Sequence, residues 1–261
     1  MERWARAKYQ PVLPLGEDGH RVTGSREHIE LSKDAAKEGM VLLKNQGNVL
    51  PLARGSRVAL FGKATFDYVK GGGGSGDVTV AYTRNLYEGL KKKADHVEIF
   101  EELADFYREN VKGQYAQGRG PGMTVEPVLP EELLQKARAF TDTAIISICR
   151  FSGEGWDRKS VYDRKGKADD TVIAGQEQKQ DDEEEVFEEG DFYLTHGEKA
   201  MVEAVKSSFP RGIVVMNVGG MVDTDWVAGE DKIQSVLMAW QGGMEGGLAA
   251  AELLIGQGSP S

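Results

Sequence analysis

The sequence predicts an α/β fold: one open, mostly parallel sheet of about six strands, covered by helices on both faces. Three observations lead there. Short apolar runs such as RVALF, AIISIC and GIVVMNV alternate with longer segments of helical period. Those runs are continuously apolar, whereas a strand with one wet face alternates apolar and polar residues, so both faces need a cover. Glycine-bearing loops follow four of the runs, and sheets of this kind bind ligands beyond the carboxyl ends of their strands.

Residues 1–24 read as an extended lead, with Pro11, Pro14, Gly16 and Gly19 breaking any regular period. Residues 25–261 read as the sandwich domain. Ser25 suits a helix N-cap, and Ile29, Ala36, Met40 and Leu43 fall near one face, which predicts a helix to about Leu43. NQGNVLPL is a turn. RVALFG, Arg57 to Gly62, is the first buried strand, and the glycine loop GGGGSG follows at Gly71 to Gly76. Asn85 to Lys93 reads as a helix and HVEIF as the second strand. GQYAQGRGPG is a loop. PEELLQKARAF opens on Pro130 with two acids in its first turn, a good helix start. AIISIC, Ala144 to Cys149, is the third strand and FSGEGWDR follows it. A polar tract at about 159–189 cannot bury apolar area and reads as an exposed insertion. LTHGEKAMVEAV carries Thr195 with Glu198 three residues on, a capping box. GIVVMNV and SVLMAW are the fourth and fifth strands. GMEGGLAAAELLIG is a helix of small residues that must pack closely on a neighbour.

Length and charge bound the function. With 261 residues and 40% hydrophobic content the chain can bury a substantial core. A formal charge of -10 argues against phosphate-backbone binding, which needs clustered Lys and Arg. Cys149 is the single cysteine, so neither an internal disulfide nor a cysteine zinc cluster is available. The four histidines show no ligand spacing, and DDEEE reads as a solvated charge run; no metal or other cofactor is expected. No apolar run reaches the ~18 residues of a membrane span. A cytoplasmic protein is expected, unless a leader has been removed.

GGGGSG fails three motifs it invites. A dinucleotide fingerprint opens from its strand directly into a helix, but here eight residues part Gly62 from Gly71. A phosphate loop needs Lys then Ser or Thr, where this chain has Asp77 and Val78. A nucleophile elbow needs a glycine where Asp77 stands. Two readings stay open: a flexible surface loop, or backbone approach to a polar ligand with the Ser75 hydroxyl taking part.

Glu154 stands between Gly153 and Gly155 at the end of a buried strand. The glycines permit unusual backbone angles and bare the carboxylate. Trp156 could exclude water, offer a sugar a flat face and raise the carboxyl's pKa, as a general acid requires. Asp157 and Arg158 can brace the loop. The residues alone leave open a tight turn with an incidental Glu. Asp225 in TDW reads as a loop residue beside a packed Trp226.

The string HIELSKDAAKEGMVLLKNQGNVLPL resembles the lead into the second domain of glycoside hydrolase family 3. The resemblance continues in order through RVALFG, GGGGSG, ISICRFSGEGWDR, GDFYLT, IVVMNVGG and AWQGGMEGG, from about residue 28 to 256. It implies a β-glucosidase-like enzyme acting on β-linked glycosides by retaining hydrolysis. A (β/α)8 barrel, absent from this chain, would carry the nucleophilic Asp. Glu154 matches the general acid/base of the branch bearing SGEG, although that position varies across the family. Ser75, with Gly74, matches a glycine-loop serine that touches the sugar, and Trp156 would wall the same pocket. The resemblance further implies a fragment that hydrolyses nothing alone, and it admits an enzyme with its two domains in reversed order. A non-catalytic carbohydrate-binding or scaffold domain of the same fold is the alternative. A nucleotide-binding protein is disfavoured by the failed motifs.

Overall fold

The computed structural model describes residues 24–154 and 186–261, with Ser75 through its backbone only. Among the described residues the sheet has six strands: β1 (Val41–Asn45), β2 (Ser56–Phe61), β3 (Val97–Ile99), β4 (Thr143–Arg150), β5 (Arg211–Val218) and β6 (Ile233–Met238). Their order across the sheet is β1-β6-β5-β4-β2-β3. β1 runs antiparallel to β6, and the other pairings are parallel. The helices are α1 (Arg26–Gly39), α2 (Leu86–Lys91), α3 (Glu101–Ala116), α4 (Glu131–Phe140), α5 (His196–Ser208), the single turn α6 (Asp225–Ala228) and α7 (Gly246–Leu254). No helix among the described residues is long and apolar enough to cross a membrane.

The apolar runs are strands because both faces are covered. Every residue of β4 is buried. Ala144, Ile146 and Ile148 share one core with Leu103 of α3, Leu134 of α4 and Val205 of α5. Ile145 lies in the second core, with Leu90 of α2 and Leu254 of α7. The alternation of a pleated strand thus feeds two helix layers, and truncating such a residue to Ala costs ~2–5 kcal/mol.

The capping signals hold. The Thr195 hydroxyl accepts from Glu198 N while the Glu198 carboxylate accepts from Thr195 N. Asn85 and Glu88 make the same reciprocal pair at the start of α2. The small residues of α7 are explained by α2, because a Cβ added at Gly247 would run into the backbone of Arg84 and Asn85 at the start of α2.

Two expectations are corrected. The first helix does not reach Leu43: it ends at Gly39, Met40 is extended, and Val41–Asn45 form β1. Met40 and Leu43 fit the helical period, but the run MVLL finds an antiparallel partner in β6, with Val41 opposite Met238. Sheet pairing at long range overrode a local pattern. Second, Glu101–Ala116 form a helix that includes GQYA of the expected loop, with Leu103, Tyr107 and Val111 buried at helical spacing. The polar tract lies outside the described residues up to position 185, and Val186 and Phe187 at its end are buried.

Candidate functional site

The site predicted from sequence lies at the carboxyl edge of the sheet, where the loops after β2, β4, β5 and β6 converge. Gly71 to Gly74 all have positive φ, a conformation that side chains resist. This lets the glycine run lie flat against the end of β4. A Cβ at Gly73 would sit 2.8 Å from Gly153 Cα. One at Gly74 would sit 2.7 Å from the carboxyl carbon of Glu154. Glu154 is exposed, and its carboxyl group rests on a floor of bare backbone. The structure therefore brings Gly74 and Glu154 together. Ser75 occupies the short 3-10 turn Gly74–Gly76 beside them. Gly155, Trp156, Asp157 and Arg158 lie outside the described residues.

Buried polar groups that the sequence reading did not single out hold this rim in place. Asp67, in the loop after β2, is fully buried with both carboxylate oxygens engaged. Oδ1 accepts from the Tyr115 hydroxyl and from Gly122 N, each at 2.7 Å. Oδ2 accepts from Lys63 Nζ at 3.0 Å and from Thr124 Oγ1 at 2.6 Å. These bonds tie the segment from Tyr115 to Thr124 to the loop that leads into the glycine run. Burial by itself would push the Asp67 carboxyl up, but the Lys63 charge and the bonds from Thr124, Gly122 and Tyr115 hold it below the usual carboxylate range. Burial pushes the Cys149 thiol up to about 12, so it is neutral at neutral pH and the charge facing Lys63 is that of Asp67.

A second buried pair braces the end of β4. Arg150 donates to both Glu198 oxygens, at 2.8 and 2.6 Å, and to the carbonyls of Asp191 and Tyr193. Burial works against the Glu198 charge, yet Arg150 keeps that carboxyl below its usual range. At the end of β5 the Asn217 side chain accepts from Val69 N at 2.8 Å and donates to the carbonyls of Val69 and Trp240 at 2.9 and 2.7 Å. One amide thereby links the loops after β2 and β6 to the end of β5. Gln241 Nε2 donates to Ser152 O at 3.1 Å and adds the loop after β4. A polar Asn inside the apolar run GIVVMNV was the signal in the sequence for the first of these links.

Two clefts flank the sheet. One, of about 400 Å³, lies at the carboxyl edge between the glycine run and the loop carrying Gly120, Pro121 and Met123. Gly73 and Gly74 form part of its wall, and Glu154 does not line it. The other, about 600 Å³, opens at the amino edge beside Arg57, Phe140 and Arg211 and touches none of the predicted site residues. No cluster of metal-ligating side chains occurs among the described residues. Asp225 starts α6 with its backbone N bonded to Asp223 Oδ1, and Trp226 packs on the core. Both fit the structural reading.

Comparisons with known proteins identify the family to which this fold belongs. Residues 40–261 match the family model described as the glycosyl hydrolase family 3 C-terminal domain. Beta-glucosidase A of Butyrivibrio fibrisolvens is 60% identical over 262 residues, which span 100% of this chain and 31% of the relative. A beta-glucosidase of Ruminococcus albus is 32% identical across 90% of this chain and 22% of its own length. Among solved structures, beta-glucosidase 3B from Thermotoga neapolitana in complex with glucose superimposes with a TM-score of 0.71 at 30% identity, covering 90% of this chain and 30% of that one. A beta-glucosidase from Paenibacillus barengoltzii gives 0.72 at 32% identity, covering 89% and 23%. The chain thus spans about a third or less of the length of these relatives.

Proposed function

The chain belongs to the glycosyl hydrolase family 3 C-terminal domain family, and on that premise we propose that it is the α/β sandwich domain of a β-glucosidase-like enzyme that hydrolyses β-linked glycosides with retention. In this reading Glu154 is the general acid/base. It protonates the glycosidic oxygen as the bond to the anomeric carbon breaks, then takes a proton from the water that releases the sugar. The nucleophilic carboxylate comes from a (β/α)8 barrel domain outside this chain and sits about 5–5.5 Å from Glu154 in the working site. Gly74 and Ser75 contact the sugar, and Trp156 forms a wall. Residues 25–261 act as one domain, and the enzyme works in the cytoplasm.

The observation that carries the proposal is that Glu154 is exposed at the carboxyl edge of the sheet, where ligands bind, with its carboxyl against Gly74, which has no side chain to cover it. A carboxylate kept for structure would be buried, as Asp67 is. A carboxylate that must reach into a cleft completed by another domain needs an unobstructed approach, which two flanking glycines provide.

The test is Glu154→Ala in the full-length enzyme. Turnover should fall by about 10²–10⁴-fold, most steeply for glycosides with poor leaving groups. Unchanged rates with such substrates would remove Glu154 from the role. The 261-residue chain by itself should hydrolyse no aryl β-glucoside, and clear turnover by it would refute the division of labour.

A further inference from the structure

Gln241, in the loop after β6, takes no part in the chemistry set out above. We propose that it is a positioning residue for Glu154: its side-chain amide stands in for a missing strand and holds the loop bearing the acid in register over the glycine run. The proposal rests on the acid/base reading of Glu154. Beyond Arg150 the sheet runs out. Gly219 N donates to Arg150 O at 3.1 Å, but β5 ends at Val218, and at Gly220 the backbone leaves the extended range with a φ of 92°. The next carbonyl on that side of the chain is Ser152 O, since carbonyls alternate along an extended segment. Gln241 Nε2 donates to it at 3.1 Å. A side chain thus continues the ladder where backbone no longer supplies it, and the bond falls two residues before Glu154.

Missing side chains make room for that amide. A Cβ at Gly219 would lie 2.4 Å from Gln241 Nε2, and one at Gly71 would lie 3.3 Å from Gln241 Cβ. The Gln241 side chain therefore fits between the loop after β5 and the first residue of the glycine run, whose Gly73 and Gly74 face Gly153 and Glu154. Its aim is set one residue earlier. Trp240 has a φ of 53°, which a bulky side chain resists and which persists only where the surroundings enforce it. Two bonds enforce it: Ala239 N donates to Met216 O at 2.9 Å, and Asn217 Nδ2 donates to Trp240 O at 2.7 Å. Past Gln241, Gly243 N donates to Lys70 O at 2.9 Å and fixes the far end of the loop. Rigid support of this kind matters to an acid that must meet the departing oxygen, because a displacement of about 1 Å costs about 10²-fold in rate.

Two variants of the full-length enzyme test this. Gln241→Met keeps the reach of the side chain and removes the donor. Its kcat/KM is measured on methyl β-glucoside, whose leaving oxygen needs a proton, and on 2,4-dinitrophenyl β-glucoside, whose leaving group departs as a stable phenolate. The methyl substrate should lose about 10–100-fold and the dinitrophenyl substrate less than about threefold. A protein that is merely loosened or misfolded loses both alike. Gln241→Glu keeps the shape. At pH 7 its carboxylate cannot donate to Ser152 O, so it should match Gln241→Met on the methyl substrate. Near pH 4.5 the acid form of a Glu with an ordinary pKa of about 4.3 can donate, and the deficit against the unmodified enzyme at the same pH should shrink by about threefold. The deficit of Gln241→Met should not shrink. Equal losses on the two substrates, no loss on either, or a Gln241→Glu deficit that pH does not move would each overturn the proposal. Those results leave the acid/base reading standing so long as Glu154→Ala separates the same two substrates. Should Glu154→Ala fail to separate them, that reading falls and the role of Gln241 falls with it.

Discussion

Asp67 and Glu154 stand in the loops after two neighbouring strands and are treated in opposite ways. Asp67 follows β2, is fully buried, and has donors on both oxygens. Glu154 follows β4, is exposed, and rests against a glycine that offers no side chain. Both are single carboxylates in loops at the carboxyl edge of one parallel sheet. The difference teaches that two acids at the same edge of one sheet can part in burial alone: one is sealed inside the fold, the other reaches solvent. A carboxylate surrounded by donors is held in its charged form and cannot exchange protons near neutral pH.

The largest expected effect tests the structural member. Asp67→Ala would leave the Lys63 ammonium buried without its counter-charge and should lower stability by ~3–5 kcal/mol, read from denaturant midpoints. A loss below ~1 kcal/mol would show that the buried pair does not hold the rim. Next comes a third carboxylate, Glu126, which sharpens the contrast. Its Oε2 accepts from Lys63 N, while Oε1 and the Tyr107 hydroxyl are buried with no partner among the described residues. Burial raises the Glu126 carboxyl from an ordinary 4.5 to about 8. The folded chain thus holds this proton more tightly than the unfolded chain does. The stability it contributes is complete below pH 4.5 and is lost as pH rises through about 8, at up to ~1.4 kcal/mol per unit. Thermal midpoints at pH 5, 7 and 9 should therefore fall in the unmodified chain and stay flatter in Glu126→Gln, whose amide can donate to Tyr107. Equal slopes in the two proteins would contradict this.

Smaller effects on stability should accompany large ones on chemistry at the other member of the pair. Gly74→Ala places a Cβ against the Glu154 carboxyl at a φ of 54°. The strain costs ~1 kcal/mol, but the carboxyl must also move. Turnover of the full-length enzyme should then drop nearly as far as in Glu154→Ala, and normal turnover would dissociate Gly74 from the acid. Smallest of all, Glu154→Gln should change the unfolding midpoint by no more than ~0.5 kcal/mol, since an exposed rim residue supports little of the fold. A large destabilisation would move Glu154 into the class of Asp67.

Much of the architecture was legible because local and global signals agree. Continuous apolar runs became doubly covered strands, and the Thr195–Glu198 capping box formed as written. Glu154 and Gly74 could be paired from their loops. Where reading failed, distance along the chain was the reason. The end of α1 was misjudged because MVLL continues a helical period, and only β6, almost two hundred residues later, makes it a strand. Asp67 carried no sequence signal of its role, since its donors are Lys63, Tyr115, Gly122 and Thr124 and the fold alone assembles them. Arg150 likewise meets Glu198 from 48 residues away.

The Asn217 amide ends β5 by gripping Val69 and Trp240 at once. Two loops that look independent in sequence are consequently fastened to one strand as a mechanical plate. Neither can swing away as a lid unless the bonds of that single amide break together. Exchange of the Val69 amide proton should accordingly be as slow as that of the central strands, which makes the rim an anvil for a visiting domain and not a gate.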